Sequence, residues 1–220
     1  MNLMVNQKEL NVTQIDESVL CLKQGNLVVF PTDTLYGIAA DPMNEQAVKR
    51  LIEIKGRSYD QGIPLLLGDI DDAKKYTTHF SIVAQKLAAA FWPGQLTLVL
   101  PSIPNISPLI TGGRNTIALR VPDHPVARFM ASEMGGAITG TSANKHGQEN
   151  PLNVTQIREQ IGQDIDLILD GGTLSEPTAS SIVEIANEKI NILRHGVISK
   201  EQIHEIAFDL GDNDTQEKPS

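Results

Sequence analysis

Short wholly apolar runs alternate along the chain with stretches whose apolar residues recur every three to four positions, and together these patterns predict alternating strands and helices. Residues 27–31 form a first apolar run that ends in a polar turn. Over 45–54, Ala47, Val48, Leu51, Ile52 and Ile54 make one apolar stripe, which predicts a helix with Asn44 as its cap. Further strands are expected over 64–67, 96–100, 116–121, 137–139, 165–169, 181–185 and 189–193, with helices over 81–91, 125–133, 154–161 and 200–207. Several strands adjoin without a helix between them, notably across the turn at 186–188, so the sheet is expected to be mixed. No repeat, low-complexity linker or heptad pattern interrupts this order. The expectation is a single catalytic domain over residues 1–210, followed over 211–220 by an acidic tail of polar and turn-forming residues that reads as disordered.

Composition narrows the class. A chain of 220 residues has room for one α/β domain but not for two full catalytic ones. Hydrophobic residues make up 40% and charged residues 20%, enough for a sizeable core, and with aromatics at only 4% that core must be mostly aliphatic. The formal charge of −9 disfavours a broad nucleic-acid footprint, so an anionic ligand must be met by a local basic cluster. The lone Cys21 leaves no internal disulfide framework or Cys-based zinc site and reads as a small buried apolar side chain, in keeping with a reducing cytosol. The first residues hold no apolar core of signal-peptide length, and the uncharged stretch 87–113 is broken by Pro93, Pro101, Pro104 and Pro108. A soluble, cytoplasmic protein with no membrane contact is expected.

Several common sites are absent: there is no G-x-x-x-x-G-K-[ST] loop, no G-x-G-x-x-G and no H-E-x-x-H, and His79, His124, His146, His195 and His204 show no metal-ligand spacing. What remains is a set of polar, glycine-containing turns at strand ends. In Pro31-Thr-Asp-Thr-Leu-Tyr-Gly37 two hydroxyls, a carboxylate and a phenol crowd the exit of an apolar strand, although an Asx turn closed by Gly37 would look the same. In Lys55-Gly-Arg57-Ser-Tyr-Asp-Gln61 two cations beside Gly56 and Gly62 suggest a mobile basic loop suited to phosphates; the plainer alternative is a helix end whose cations complement its dipole. Gly140-Thr-Ser142-Ala-Asn144 offers hydroxyl, amide and backbone N–H groups at one turn. It also sits one residue from the G-x-S-x-G nucleophile elbow, but the final glycine is missing and no downstream histidine shows a partner pattern, which argues against a serine hydrolase. Arg120 and Arg194 add single cations at strand ends.

In their order and spacing these turns resemble the YrdC/Sua5 family. The resemblance runs over roughly 27–198 through FPTDTLYGIAADP, IKGRSYDQGIPLLL, FWPGQLTLVL, TIALRVPDHP, TGTSAN, DGG, ASSIVEI and ILRHG. Lys55, Arg57, Ser142 and Asn144 match the family's Lys-x-Arg and Ser-x-Asn tetrad, and the chain looks like the short form that lacks an extra C-terminal domain. The resemblance implies an α/β fold, a twisted and largely closed mixed sheet with flanking helices around a large concave cleft. It also implies threonylcarbamoyl-AMP synthesis from L-threonine, bicarbonate and ATP with Mg2+, the product passing to a transferase complex that modifies adenosine in tRNA. By position, threonine would be met by Thr34, Leu66, Arg120, Gly140 and Ser180, and ATP by Lys55, Arg57, Gln61, Thr116, Ser142, Asn144, Asn150 and Arg194, with Lys55 and Arg57 in the catalytic role.

Three positions depart from the family pattern: Ser58 follows Arg57 where proline is frequent, Leu66 stands where many members carry histidine, and His195 replaces the usual proline after Arg194. The implied reaction needs no covalent enzyme intermediate, which suits a sequence without an evident nucleophile; alignment of reactants and charge stabilisation would be the protein's part. Closure of the 55–61 loop, hinged at Gly56 and Gly62, would shield a carbamate from water. Two alternatives stay open: a diverged member acting on another amino acid, for which Leu66 speaks, and a module that binds RNA weakly, against which the −9 charge speaks.

Overall fold

The computed structural model describes residues 10–174, 178–186 and 188–208; the tail expected over 211–220 lies outside them. Helix α1 (Val12–Lys23) is followed by β1 (Val28–Phe30), β2 (Gly37–Ala39), α2 (Glu45–Lys55), β3 (Leu65–Leu67) and a 3-10 turn at Ile70–Lys75. Then come α3 (Ile82–Phe91), β4 (Leu96–Pro101), α4 (Pro108–Thr111), β5 (Thr116–Arg120), α5 (Pro125–Glu133), β6 (Ala137–Thr139) and β7 (Thr141–Ser142). The described chain ends with α6 (Val154–Ile161), β8 (Leu167–Ile168), β9 (Ser181–Ala186), β10 (Lys189–Arg194) and α7 (Lys200–Phe208). The expected strands and helices are all present. Helix α1, β2, β7, α4 and the 3-10 turn were not anticipated. Helix α1 buries only Ser18, Val19 and Leu22, with Ile15 packed beside them, and its start is fixed by a reciprocal Asn11–Gln14 cap.

The strands form two mixed sheets, in the orders β7-β2-β1-β8 and β10-β9-β4-β5-β3-β6. The mixed α/β character with flanking helices is as expected, but the single, largely closed sheet is not: the strands divide into two open sheets. The division has a local cause at Gly140. Strand β6 pairs with β3 in the larger sheet, whereas β7, beginning one residue later, pairs with β2 in the smaller. At the crossing, the Thr139 hydroxyl accepts the Ala40 N–H at 2.8 Å and the Gly140 N–H donates to the Pro64 carbonyl at 2.8 Å. A Cβ on Gly140 would lie 2.3 Å from the Leu66 side chain, so only glycine lets the chain pass. The main core between helices and sheets is aliphatic and includes Leu51, Leu65, Leu67, Leu87, Leu96 and Leu98. A second cluster, holding Val19, Phe30, Leu66 and Met130, joins α1 and α5 to the other sheet faces. Cys21 is half-buried and packs against that second cluster.

Candidate active site

Where the two sheets meet, a cavity of about 260 Å³ opens, and the side chains of Thr34, Arg57, Leu66, Arg120, Ser180 and Arg194 line it together with Gly140 and Thr141. Each cation arrives by a different route. Arg57 follows the end of α2, which Gly56 stops in the left-handed region at φ 60°. Its guanidinium then folds back, donating to the Gln61 carbonyl at 3.1 Å, to the Gly62 carbonyl at 2.9 Å and to the Thr141 hydroxyl at 3.4 Å. Its Nε is buried with no partner, and burial holds the group below its ordinary pKa.

The expected loose basic loop is therefore corrected in two respects. Lys55 is the last residue of α2 and only 4% exposed, with its ammonium turned into the body. It donates to the Ser142 carbonyl at 2.5 Å, to the Asn144 carbonyl at 2.7 Å and to Asn144 Oδ1 at 3.2 Å. Burial, and then the neighbouring Arg57, pull it down to about 7. Gly62, assigned as a hinge, is packed instead, its Cβ position lying 3.3 Å from the Ile110 and Thr111 carbonyls. The Ser142 hydroxyl donates to Asn144 Oδ1 at 2.6 Å, so Lys55, Ser142 and Asn144 form one tight unit beside the cavity rather than a row of free groups. A lysine placed where the apolar stripe ends, with no sequence signal for burial, is read by default as a solvated cation.

Arg120 is likewise no isolated cation. It donates through Nε to the Gly94 carbonyl at 2.7 Å, through Nη1 to the Thr34 hydroxyl at 2.9 Å and through Nη2 to Asp33 Oδ1 at 2.6 Å. Arg120 is buried and Asp33 largely so, their side chains being 6% and 11% exposed. Arg194 is the most open of the three arginines; it donates to the Ser180 carbonyl and to the Ser180 hydroxyl, both at 3.0 Å, and burial together with Arg120 lowers its pKa. The Ser180 hydroxyl also pairs with Thr97 at 3.0 Å.

Three assigned residues do not converge here. Gln61 contributes a carbonyl to Arg57 rather than its side chain. Thr116 opens β5 four residues before Arg120, a distance of about 13 Å along a strand. Asn150 is exposed and lines a separate cavity of about 560 Å³ with Glu149, Gln156 and Gln160. Conversely, Thr97 and Asp33 belong to the cavity's hydrogen-bond network; Thr97 is not among the expected site residues, and Asp33 is there only as the carboxylate of the first polar turn, with no role. Thr97, the one polar residue in the run 96–100, and Asp33, between two threonines, are the signals that could have found them. The Tyr36 phenol is a structural tie: it donates to the Gly172 carbonyl at 2.6 Å, and burial pushes its pKa up to about 12. A larger cavity, about 470 Å³, lies between α1 and α5, but its walls are mainly apolar and none of the three arginines reaches it.

A family model for Sua5/YciO/YrdC, described as telomere recombination, matches residues 21–196. The chain belongs to this family. It is 38% identical over 187 residues to the threonylcarbamoyl-AMP synthase of Vibrio vulnificus, covering 84% of this chain and 100% of that protein. With the threonylcarbamoyl-AMP synthase of Bacillus subtilis it shares 36% identity over 214 residues, 95% of this chain but only 62% of that protein. The crystal structure of Pyrococcus abyssi Sua5 complexed with L-threonine matches with a TM-score of 0.86 at 31% identity, over 90% of this chain and 58% of that one.

Proposed function

We propose that this chain is a threonylcarbamoyl-AMP synthase, a nucleotidyltransferase that converts L-threonine, bicarbonate and ATP into L-threonylcarbamoyl-AMP, pyrophosphate and water. The observation that carries the reading is the convergence of Arg57, Arg120 and Arg194 with the hydroxyl-bearing Thr34, Thr97, Thr141 and Ser180 on one small cavity of a chain whose net charge is −9. Family membership and the names of its relatives support it.

The amine of threonine captures CO2 or bicarbonate as a carbamate; a carbamate oxygen then attacks the α-phosphorus of ATP and pyrophosphate departs. Positioning and electrostatics are the protein's contribution. Among the described residues Arg57 and Arg194 have no carboxylate partner, so their charge is available to ATP phosphates and to the departing pyrophosphate. Arg120, already offset by Asp33, supplies direction at the amino-acid end, with Thr34 and Ser180 to read the substrate hydroxyl. Lys55 acts from behind, holding the Ser142–Asn144 turn against α2. Mg2+ would enter as the ATP chelate with the phosphates as its ligands: among the described residues no cluster of three His, Cys, Asp or Glu could hold a metal. The adenylate would pass to an enzyme that transfers the threonylcarbamoyl group to tRNA. No helix among the described residues is long and apolar enough to cross a membrane, and a cytoplasmic location fits this role.

Pyrophosphate release, measured with each amino acid in turn and with or without bicarbonate, tests the reading. Release should require threonine and bicarbonate together. Release that ignores either one would overturn it.

A further inference from the structure

We propose that Asp33 makes the amino-acid end of the cavity select a zwitterion over a plain carboxylate. This rests on the amino-acid reading above. Arg120 holds five N–H donors, of which three are engaged by Gly94, Thr34 and Asp33, leaving two for a ligand. A lone buried guanidinium facing a cavity would favour an anion. Here the carboxylate of Asp33, 2.6 Å from Nη2 and 11% exposed, cancels most of that charge at short range. The fork keeps its direction while its field is reduced, which suits a ligand whose own carboxylate is balanced by an ammonium.

The pair is built to stay in register. The Asp33 carbonyl accepts from Gln95 Nε2 at 3.0 Å, and the Arg120 Nε donates to the adjoining Gly94 carbonyl at 2.7 Å, so both partners are tied to the one turn between α3 and β4. Thr34, next in sequence to Asp33, takes the second arm of the fork at 2.9 Å and lines the cavity. The other carboxylate oxygen, Oδ2, is buried with no hydrogen-bond partner. A pair that served packing alone would gain by satisfying that oxygen or by becoming apolar. Left without a hydrogen-bond donor, Oδ2 keeps its share of the carboxylate charge beside the fork, where it offsets the guanidinium at the ligand end. The arginines elsewhere on the cavity, Arg57 and Arg194, have no such partner among the described residues and keep their field for phosphates.

The test compares L-threonine with 3-hydroxybutyrate, which is threonine without its amino group, by calorimetric binding to wild type, Asp33→Asn and Asp33→Glu. At pH 8 His124, which burial holds below its ordinary range although Asp33 and Asp123 oppose this, is neutral and does not alter the balance. Wild type should prefer threonine by at least about tenfold; Asp33→Asn, nearly isosteric but neutral, should erase most of that preference by weakening threonine while holding or strengthening 3-hydroxybutyrate. Asp33→Glu keeps the charge and should keep the preference even if both ligands bind more weakly. A purely structural Asp33 would weaken both ligands in equal proportion, and an unchanged ratio in Asp33→Asn overturns the inference. That outcome in a wild type that makes the adenylate leaves the synthase reading standing. A wild type that releases no pyrophosphate with threonine and bicarbonate fails that reading separately.

Discussion

Lys55→Met isolates the energetic consequence of a buried ammonium. Methionine nearly matches the lysine stem in length and removes the charge, leaving the Ser142 and Asn144 oxygens in place, one of them still bonded to the Ser142 hydroxyl. In the folded protein Lys55 titrates at about 7, against an ordinary value of 10.5. Between those two values the unfolded chain binds the proton and the folded one releases it, so the unfolded state holds more protons and stability rises with pH. Integrated from pH 7 to pH 9, that difference is worth about 2 kcal/mol in favour of wild type, and it is missing from Lys55→Met. For a chain of this size it corresponds to about 4–8 °C in Tm. Subtracting the two proteins' denaturation curves at each pH removes every other titrating group from the comparison. Parallel pH profiles would refute the reasoning, because they would mean that the three oxygen acceptors hold the ammonium charged at its ordinary value.

Three further substitutions probe the cavity itself. Arg57→Ala should lose about 2–4 kcal/mol of transition-state stabilisation, about 30-fold to 1,000-fold in adenylate formation, with the fold retained; near wild-type turnover would remove Arg57 from the phosphate site. Arg120→Lys should chiefly raise the KM for threonine, since a single ammonium cannot serve Gly94, Thr34 and Asp33 in the planar fork that now joins them. If the threonine KM is unchanged while ATP binding weakens, Arg120 faces the other substrate. Leu66 is 4% exposed and gives the cavity an apolar wall, which separates near-isosteric substrates by only about 1–3 kcal/mol; Leu66→His should sharpen the preference for threonine over valine. Comparing kcat/KM for the two amino acids in both proteins decides this, and a parent that already rejects valine by several orders of magnitude contradicts it.

The strands and helices that carry apolar patterns were legible because burial imposes the pattern: β4 and α2 fall where the apolar run and the apolar stripe place them. What escaped was set by geometry across the chain. The two-residue strand β7 has no pattern of its own and exists because Gly140 carries the chain from one sheet to the other past Leu66. The convergence of Thr34, Arg57, Arg120, Ser180 and Arg194 was implied by the family resemblance that the order and spacing of the motifs carry; each motif alone is weak. Which of those cations were free did not follow, because charge balance depends on partners distant in sequence: Asp33 for Arg120 across 87 residues, and the Ser142 carbonyl for Lys55 across another 87. Thr116 and Asn150 show the converse, positions that match a motif without reaching the cavity.

The central claim is that bicarbonate carbon is built into the adenylate. A threonine carboxylate attacking ATP would also release pyrophosphate, so the distinguishing measurement is the fate of label from [14C]bicarbonate. With ATP, Mg2+ and L-threonine present, the account predicts label in an AMP-linked product that co-migrates with L-threonylcarbamoyl-AMP, in a one-to-one ratio with pyrophosphate and absent when threonine is omitted. Pyrophosphate released with no label in the nucleotide product would contradict it.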